Sequence, residues 1–430
     1  MTERRSSVTP YRALLFIATV FTIASWLFLV DSNLISQRDK FHESDYIMTF
    51  YVAGHLVASG RSGELYPDAS APSFVDSPFD KAVHRLLPQL PKQYTGAYMH
   101  IPLVAGFFTP FSYIDPNWSL LIWQILSVAA LALSCRLLSR LVQVSGHEVF
   151  FLASLFLPVF LTLWAGQLGL GFGLLPLCIG FVLVHRQRSF LGGLVWSLLL
   201  LKPQFVLAGA FVAISLALTH RFRVFIGMTV GVTALIVLTI LTFGTGPTMQ
   251  WLLSHRVSDA TYSSGLQGIP SHLITGLPAN LMILFPVSQR ASLKLPLYAA
   301  AAAFWIFGLW YCHNRAKALR NPSVALTISF IIGVSLSSLT SPHLLYYDLC
   351  VLLPAGVLLL AHNGPLSGEK RLRWIAVGAW IAVSAFFPIL IAFAQYKAVP
   401  LILELILLSL FCALLSLVNQ SLPRLAGNKA

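Results

Sequence analysis

The chain has 430 residues, of which 57% are apolar and only 10% charged, against roughly 25% charged in an average soluble chain. That balance excludes a water-soluble protein and points to one built into a lipid bilayer. The net charge of +13, from 28 Lys and Arg against 15 Asp and Glu, fits cytoplasmic loops that collect basic residues, so no nucleic acid partner is expected.

Apolar stretches long enough to cross about 30 Å of hydrocarbon begin at 11–30. This stretch follows Arg4 and Arg5 and lacks a small-residue cleavage site, so it reads as a retained first helix rather than a signal peptide. Further stretches run over 117–140, 148–166, 168–185, 190–201, 203–219, 222–243, 295–312, 322–340, 346–362, 372–394 and 399–419. Together they predict an all-α polytopic membrane protein of about twelve passes, forming a single domain over 1–430. With a cytoplasmic amino terminus, one side collects Arg136 and Arg140, Arg186 and Arg188, Arg221 and Arg223, the 313–320 cluster, the 369–373 cluster and the Arg424/Lys429 tail. Both termini are then cytoplasmic. The complementary side receives a first outer loop, 31–99, carrying Asp31, Asp39, Glu43, Asp45, Glu64, Asp68, Asp76 and Asp80, more than half of the chain's 15 carboxylates. Two shorter pieces, 100–112 and 272–286, are interrupted by prolines and read as re-entrant or surface-lying helices at the outer interface. Irregular backbone at that depth needs a protein cover or a cavity to line, so a cavity opening outward is expected. The 5 cysteines all sit in apolar runs without Cys-x-x-Cys spacing, which indicates neither a disulfide framework nor a zinc site.

Several positions carry residues able to do chemistry. In the first outer loop, 41–51 reads as a short amphipathic helix lying along the membrane surface. Asp45, Thr49 and Val52 share its face at i, i+4 and i+7. A carboxylate beside apolar surface suits a general base; the plainer reading is a helix N-terminus, where Glu43 and Asp45 would favour the dipole. Lys202-Pro-Gln204 interrupts an apolar run of about thirty residues, which as one helix would span roughly 45 Å and overshoot the bilayer. The chain must break there, and an intramembrane ammonium is either a functional group awaiting an anion such as a phosphate or a side chain that snorkels to the interface. Ser341-Pro-His-Leu-Leu-Tyr-Tyr-Asp348 occupies the outer end of the tenth span. There His343 reads as a ligand or an interfacial histidine, and Asp348 as a site residue or a helix-start carboxylate. Gly166-Gln167, with Gly169, Gly171 and Gly173, marks an outer hairpin, where small residues also serve close helix packing.

Taken in order, Asp45-Tyr-Ile-Met-Thr-Phe-Tyr-Val-Ala-Gly-His, Leu65-Tyr-Pro, Tyr98-Met-His-Ile-Pro-Leu, Thr109-Pro-Phe, Trp123, Gly166-Gln167, Lys202-Pro-Gln204 and Ser341-Pro-His343 resemble glycosyltransferase family 87. The best-understood members of that family are polyprenyl-phosphate-mannose-dependent α-mannosyltransferases of the GT-C superfamily. The resemblance implies a polyprenyl phosphate sugar as donor, a glycan or glycolipid acceptor arriving from outside, and inversion at the anomeric carbon without nucleotide, metal or other cofactor. It implies Asp45 as catalytic base, with Lys202 and His343 near the donor phosphate. Tyr98, His100, Gln167, Gln204 and Asp348 are further pocket candidates to which it gives no defined role. The pattern departs from the mannosyltransferases after His343, where Leu344-Leu345 stands, so the resemblance carries the lipid-phosphate chemistry further than it carries mannose. A bacterial inner membrane is the expected setting.

Three other readings compete. A secondary transporter would use Lys202 and Asp348 as substrate or proton sites and predicts inverted repeats, which the sequence does not display. A polysaccharide polymerase or ligase would place its large polar loop late in the chain. A non-catalytic assembly partner would need none of this chemistry.

Overall fold

The computed structural model describes residues 8–31, 45–68, 70–92, 94–264, 271–319, 321–342, 344–361, 366 and 369–427. His343 and Glu43 lie outside the described residues, as does Asp39. The chain is built of helices: α1 (Val8–Val30), α2 (Val52–Ala58), α3 (Pro78–Leu86), α4 (Pro102–Phe108), α5 (Pro116–Val142), α6 (Gly146–Ser154), α7 (Leu157–Trp164), α8 (Leu175–His185) and α9 (Ser189–Trp196). They continue with α10 (Pro203–Ala217), α11 (Arg223–Phe243), α12 (Thr245–Ser264), α13 (Leu277–Leu284), α14 (Val287–Ala318), α15 (Pro322–Thr340), α16 (Leu353–Leu360), α17 (Lys370–Ala392) and α18 (Val399–Gly427). Strands β1 (Ile274–Thr275) and β2 (Leu344–Leu345) pair antiparallel and tie the segment before α13 to the one after α15.

The apolar stretches expected to cross the membrane are largely helical where described, and twelve full-length crossings are not confirmed among the described residues. Among the described residues α5, α11, α14, α15, α17 and α18 are long and apolar enough by themselves, and α6 with α7 makes up to a seventh through a 75° bend. Proline explains the shortening. Pro158, Pro203 and Pro354 stand in the first turns of α7, α10 and α16, where a missing N–H costs nothing, and each ends whatever preceded it. The expected span 190–201 is thus α9 followed by a 3₁₀ turn, Ser197–Leu201, and 346–362 is a 3₁₀ turn, Tyr346–Leu352, followed by α16.

Two cores result. The larger is the helix bundle: α15 is its centre, with 83% of its apolar window buried, and it packs on α10, while α9 packs on α8 and α11. The smaller joins residues 46–108 to α5. Tyr46, Phe50, Phe79, Tyr98, Phe108 and Trp123 are all nearly or fully buried together, with Tyr46 edge-on to Phe108 at 5.5 Å and Phe108 to Trp123 at 5.0 Å. Over its described part, 45–51, this corrects the expectation of a surface-lying amphipathic helix. Tyr46–Tyr51 is a π-helical turn leading into α2, and its wider winding breaks the i, i+4, i+7 face. Asp45 and Thr49 stay partly exposed, whereas Val52 is fully buried. The pieces at 100–112 and 272–286 become α4 and α13, short helices with buried faces.

A candidate active site where three distant segments meet

Asp45 stands at the start of the π turn, and the turn is docked by the Tyr46 N–H donating to the Ala165 carbonyl at 3.1 Å. The next residue, Gly166, has φ +65°. A Cβ there would lie 2.5 Å from the Cβ of Tyr46 and 2.6 Å from Leu120 Cδ1, so only glycine lets the chain turn this tightly against Tyr46. The turn delivers Gln167, whose Nε2 donates to Asp45 Oδ2 at 2.7 Å.

Lys202 comes from the break ahead of α10. It caps that helix just before Pro203, and its side chain is 2% exposed, so it does not snorkel. Lys202 Nζ donates to Gln167 Oε1 at 3.0 Å and lies 2.9 Å from Asp348 Oδ1, an ionic approach rather than a well-aligned hydrogen bond. The anion that the buried ammonium requires is therefore supplied by the chain itself, where the sequence had left room for a phosphate. Asp348 is also a helix-start carboxylate, since its Oδ2 accepts from the Leu345 N–H at 3.2 Å. Its neighbour Tyr347 donates its hydroxyl to Asp45 Oδ2 at 2.9 Å, and the Lys202 ammonium lies 5.5 Å from the centre of the Tyr347 ring.

Asp45, Gln167, Lys202 and Asp348 thus form one connected group. His100 adjoins it. Burial, and after it the charge of Lys202, pushes this imidazole down to about 3 against a hydrogen bond to the Leu201 backbone, so it is neutral at ordinary pH. Its ring packs on Phe50 at 5.1 Å and on Tyr98 at 5.9 Å, and its Nδ1 has no partner among the described residues. Tyr98 stands one layer back, fully buried with its hydroxyl donated to the Ile101 carbonyl. Gln204, half-buried in the first turn of α10, makes no hydrogen bond to the group, and its Oε1 is buried without a partner among the described residues. Tyr347 is the member that sequence reasoning missed. Its signal was its place beside Asp348 in a segment already marked for unusual polarity.

No group of three His, Cys, Asp or Glu side chains able to hold a metal gathers among the described residues. A cavity of about 420 Å³ lies between α5, α6 and α15 to α18, lined by side chains such as Leu152, Phe156, Leu353, Trp380 and Phe411. None of the four connected residues lines it.

The family model of glycosyltransferase family 87 matches residues 98–342, more than half of the chain. The match takes in Gln167 and Lys202 and stops short of Asp45, Tyr347 and Asp348. No match is found among curated proteins or among solved structures.

Proposed function

Because the chain belongs to glycosyltransferase family 87 and is a membrane glycosyltransferase, we propose that it transfers a hexosyl residue from a polyprenyl phosphate sugar to a glycan or glycolipid acceptor at the outer face. The reaction is a single displacement with inversion, and Asp45 is its base. The observation that carries this reading is the position of Asp45: partly exposed at one end of a group whose other members are buried. An acceptor hydroxyl can reach it while the rest of the group stays dry.

In this reading the acceptor oxygen bonds to the anomeric carbon as the bond from that carbon to the phosphate oxygen breaks. The hydroxyl proton passes to Asp45, and the bonding pair leaves on the phosphate. Growing charge on the leaving group calls for fixed positive potential in a water-poor site. Lys202 supports that role: Gln167 takes one of its three N–H groups while Asp348 stands in ionic contact at 2.9 Å, so the ammonium can still donate to a donor phosphate. His343 is the second group proposed for the phosphate. The base and the ammonium joined through Gln167 fit an in-line arrangement in which acceptor and donor meet on opposite faces of the sugar.

The test is transfer in proteoliposomes from radiolabelled polyprenyl phosphate mannose to a membrane glycolipid fraction. Asp45→Asn is expected to lower the rate by about a hundredfold or more. An unchanged rate would remove Asp45 from the mechanism.

A further inference from the structure

An ammonium has only donors, so the Gln167 atom that meets Lys202 at 3.0 Å is the amide oxygen. The amide nitrogen must then face Asp45, which it does at 2.7 Å. Lys202 cannot swing away to release this orientation, because its ammonium is held against Asp348 at 2.9 Å, and Asp348 is held in turn by the Leu345 N–H. The same segment sends the Tyr347 hydroxyl to Asp45. Both donors converge on one oxygen, Oδ2, and among the described residues nothing is bonded to Oδ1.

We propose that Gln167 and Tyr347 are positioning residues for the transfer step. They fix the orientation of the Asp45 carboxylate through Oδ2 and turn Oδ1 toward the acceptor hydroxyl, and Lys202 sets the polarity of the Gln167 amide. The proposal rests on the reading of Asp45 as base. Oδ1 takes the acceptor proton, and Oδ2 keeps its two hydrogen bonds throughout, so the carboxylate does not rotate as it reacts. His100, whose imidazole feels the charge of Lys202, is itself neutral.

The transfer assay run as a function of pH separates positioning from mere support. In Gln167→Leu and Tyr347→Phe the acid limb of kcat/KM is expected to move upward by about one pH unit. KM for the donor should stay within about twofold, and the rate should largely recover on the alkaline plateau, because the base regains its charge there. Gln167→Glu keeps an acceptor for Lys202, so it folds even where Leu does not, and it sets a second carboxylate against Asp45. Its acid limb should move furthest. A loss equal at every pH, or an acid limb that stays in place in Gln167→Glu, overturns the proposal. Asp45→Asn is assayed alongside: if it still transfers sugar, the base assignment itself fails, whereas an inactive Asp45→Asn with unmoved limbs in the Gln167 and Tyr347 variants rejects the positioning roles alone.

Discussion

Lys202 and Asp348 are each 2% exposed and 2.9 Å apart, and neither is tolerable at that depth alone, because removing one partner strands a charge away from water. Breaking such a pair costs about 3–5 kcal/mol, far more than the pair itself contributes. Lys202→Met is accordingly expected to destabilise the folded protein by that amount, read as a drop in thermal unfolding temperature in detergent. Lys202→Met combined with Asp348→Asn should recover most of the loss, since Asn keeps an acceptor for the Leu345 N–H. A single variant as stable as the parent would show that the pair is not closed in the native protein. Each of Asp45, Gln167, Lys202 and Asp348 could be picked out from the sequence by a local oddity: an acid beside aromatics, a polar residue after glycine, a cation at a broken apolar run, an acid after tyrosines. Their mutual contacts could not. Gln167 and Lys202 are 35 residues apart and Asp45 and Tyr347 are 302 apart, and no periodicity within one segment encodes a partner in another. Tyr347 was overlooked for the same reason, as its phenol matters only once Asp45 faces it.

The helices themselves were largely legible, because apolar length is a local property; their breaks and their contacts were less so. A proline marks where a helix must end, but the sharp bend between α6 and α7 and the π turns at Tyr46–Tyr51 and Gly169–Leu174 depend on what packs against them. The twenty-residue helix α12 (Thr245–Ser264) escaped notice because its polar composition gives no apolar stretch. Contacts between elements are decided by small residues at crossings. A Cβ on Gly193 of α9 would lie 2.0 Å from the Val224 carbonyl oxygen of α11, and one on Gly227 would lie 2.1 Å from the Phe190 carbonyl oxygen. These backbones touch, as small residues allow in membrane bundles. Gly193→Ala should wedge α9 from α11 and lower stability by roughly 1–3 kcal/mol, with transfer falling too because α9 leads through Ser197–Leu201 to Lys202. Gly246→Ala, in α12 with open space around it, is the control and should leave the melting temperature in place. Equal effects of the two would discount the crossing.

At the scale of the whole molecule, the distribution of basic clusters predicts which face of the bilayer each loop meets, and labelling checks it. Among the five cysteines four are buried and Cys412 is exposed, so a Cys412→Ser background gives a quiet starting point. A membrane-impermeant maleimide applied to intact cells should label Lys92→Cys in the first outer loop. It should reach Gln187→Cys, beyond α8, only after permeabilisation. Reversed access would invert the topology and put the Asp45 face in the cytoplasm. The distance along the chain between Lys202 and its carboxylate also bears on biogenesis. A ribosome that has translated no further than α10 has delivered an ammonium to the bilayer with no anion to meet it. The matching acid emerges only after α15 has been made. Insertion and closure are therefore separate events for this protein: the nascent cation must be sheltered by headgroups, water or the translocation machinery until the late segment arrives, and a chain cut short before that segment keeps its helices but strands a charge.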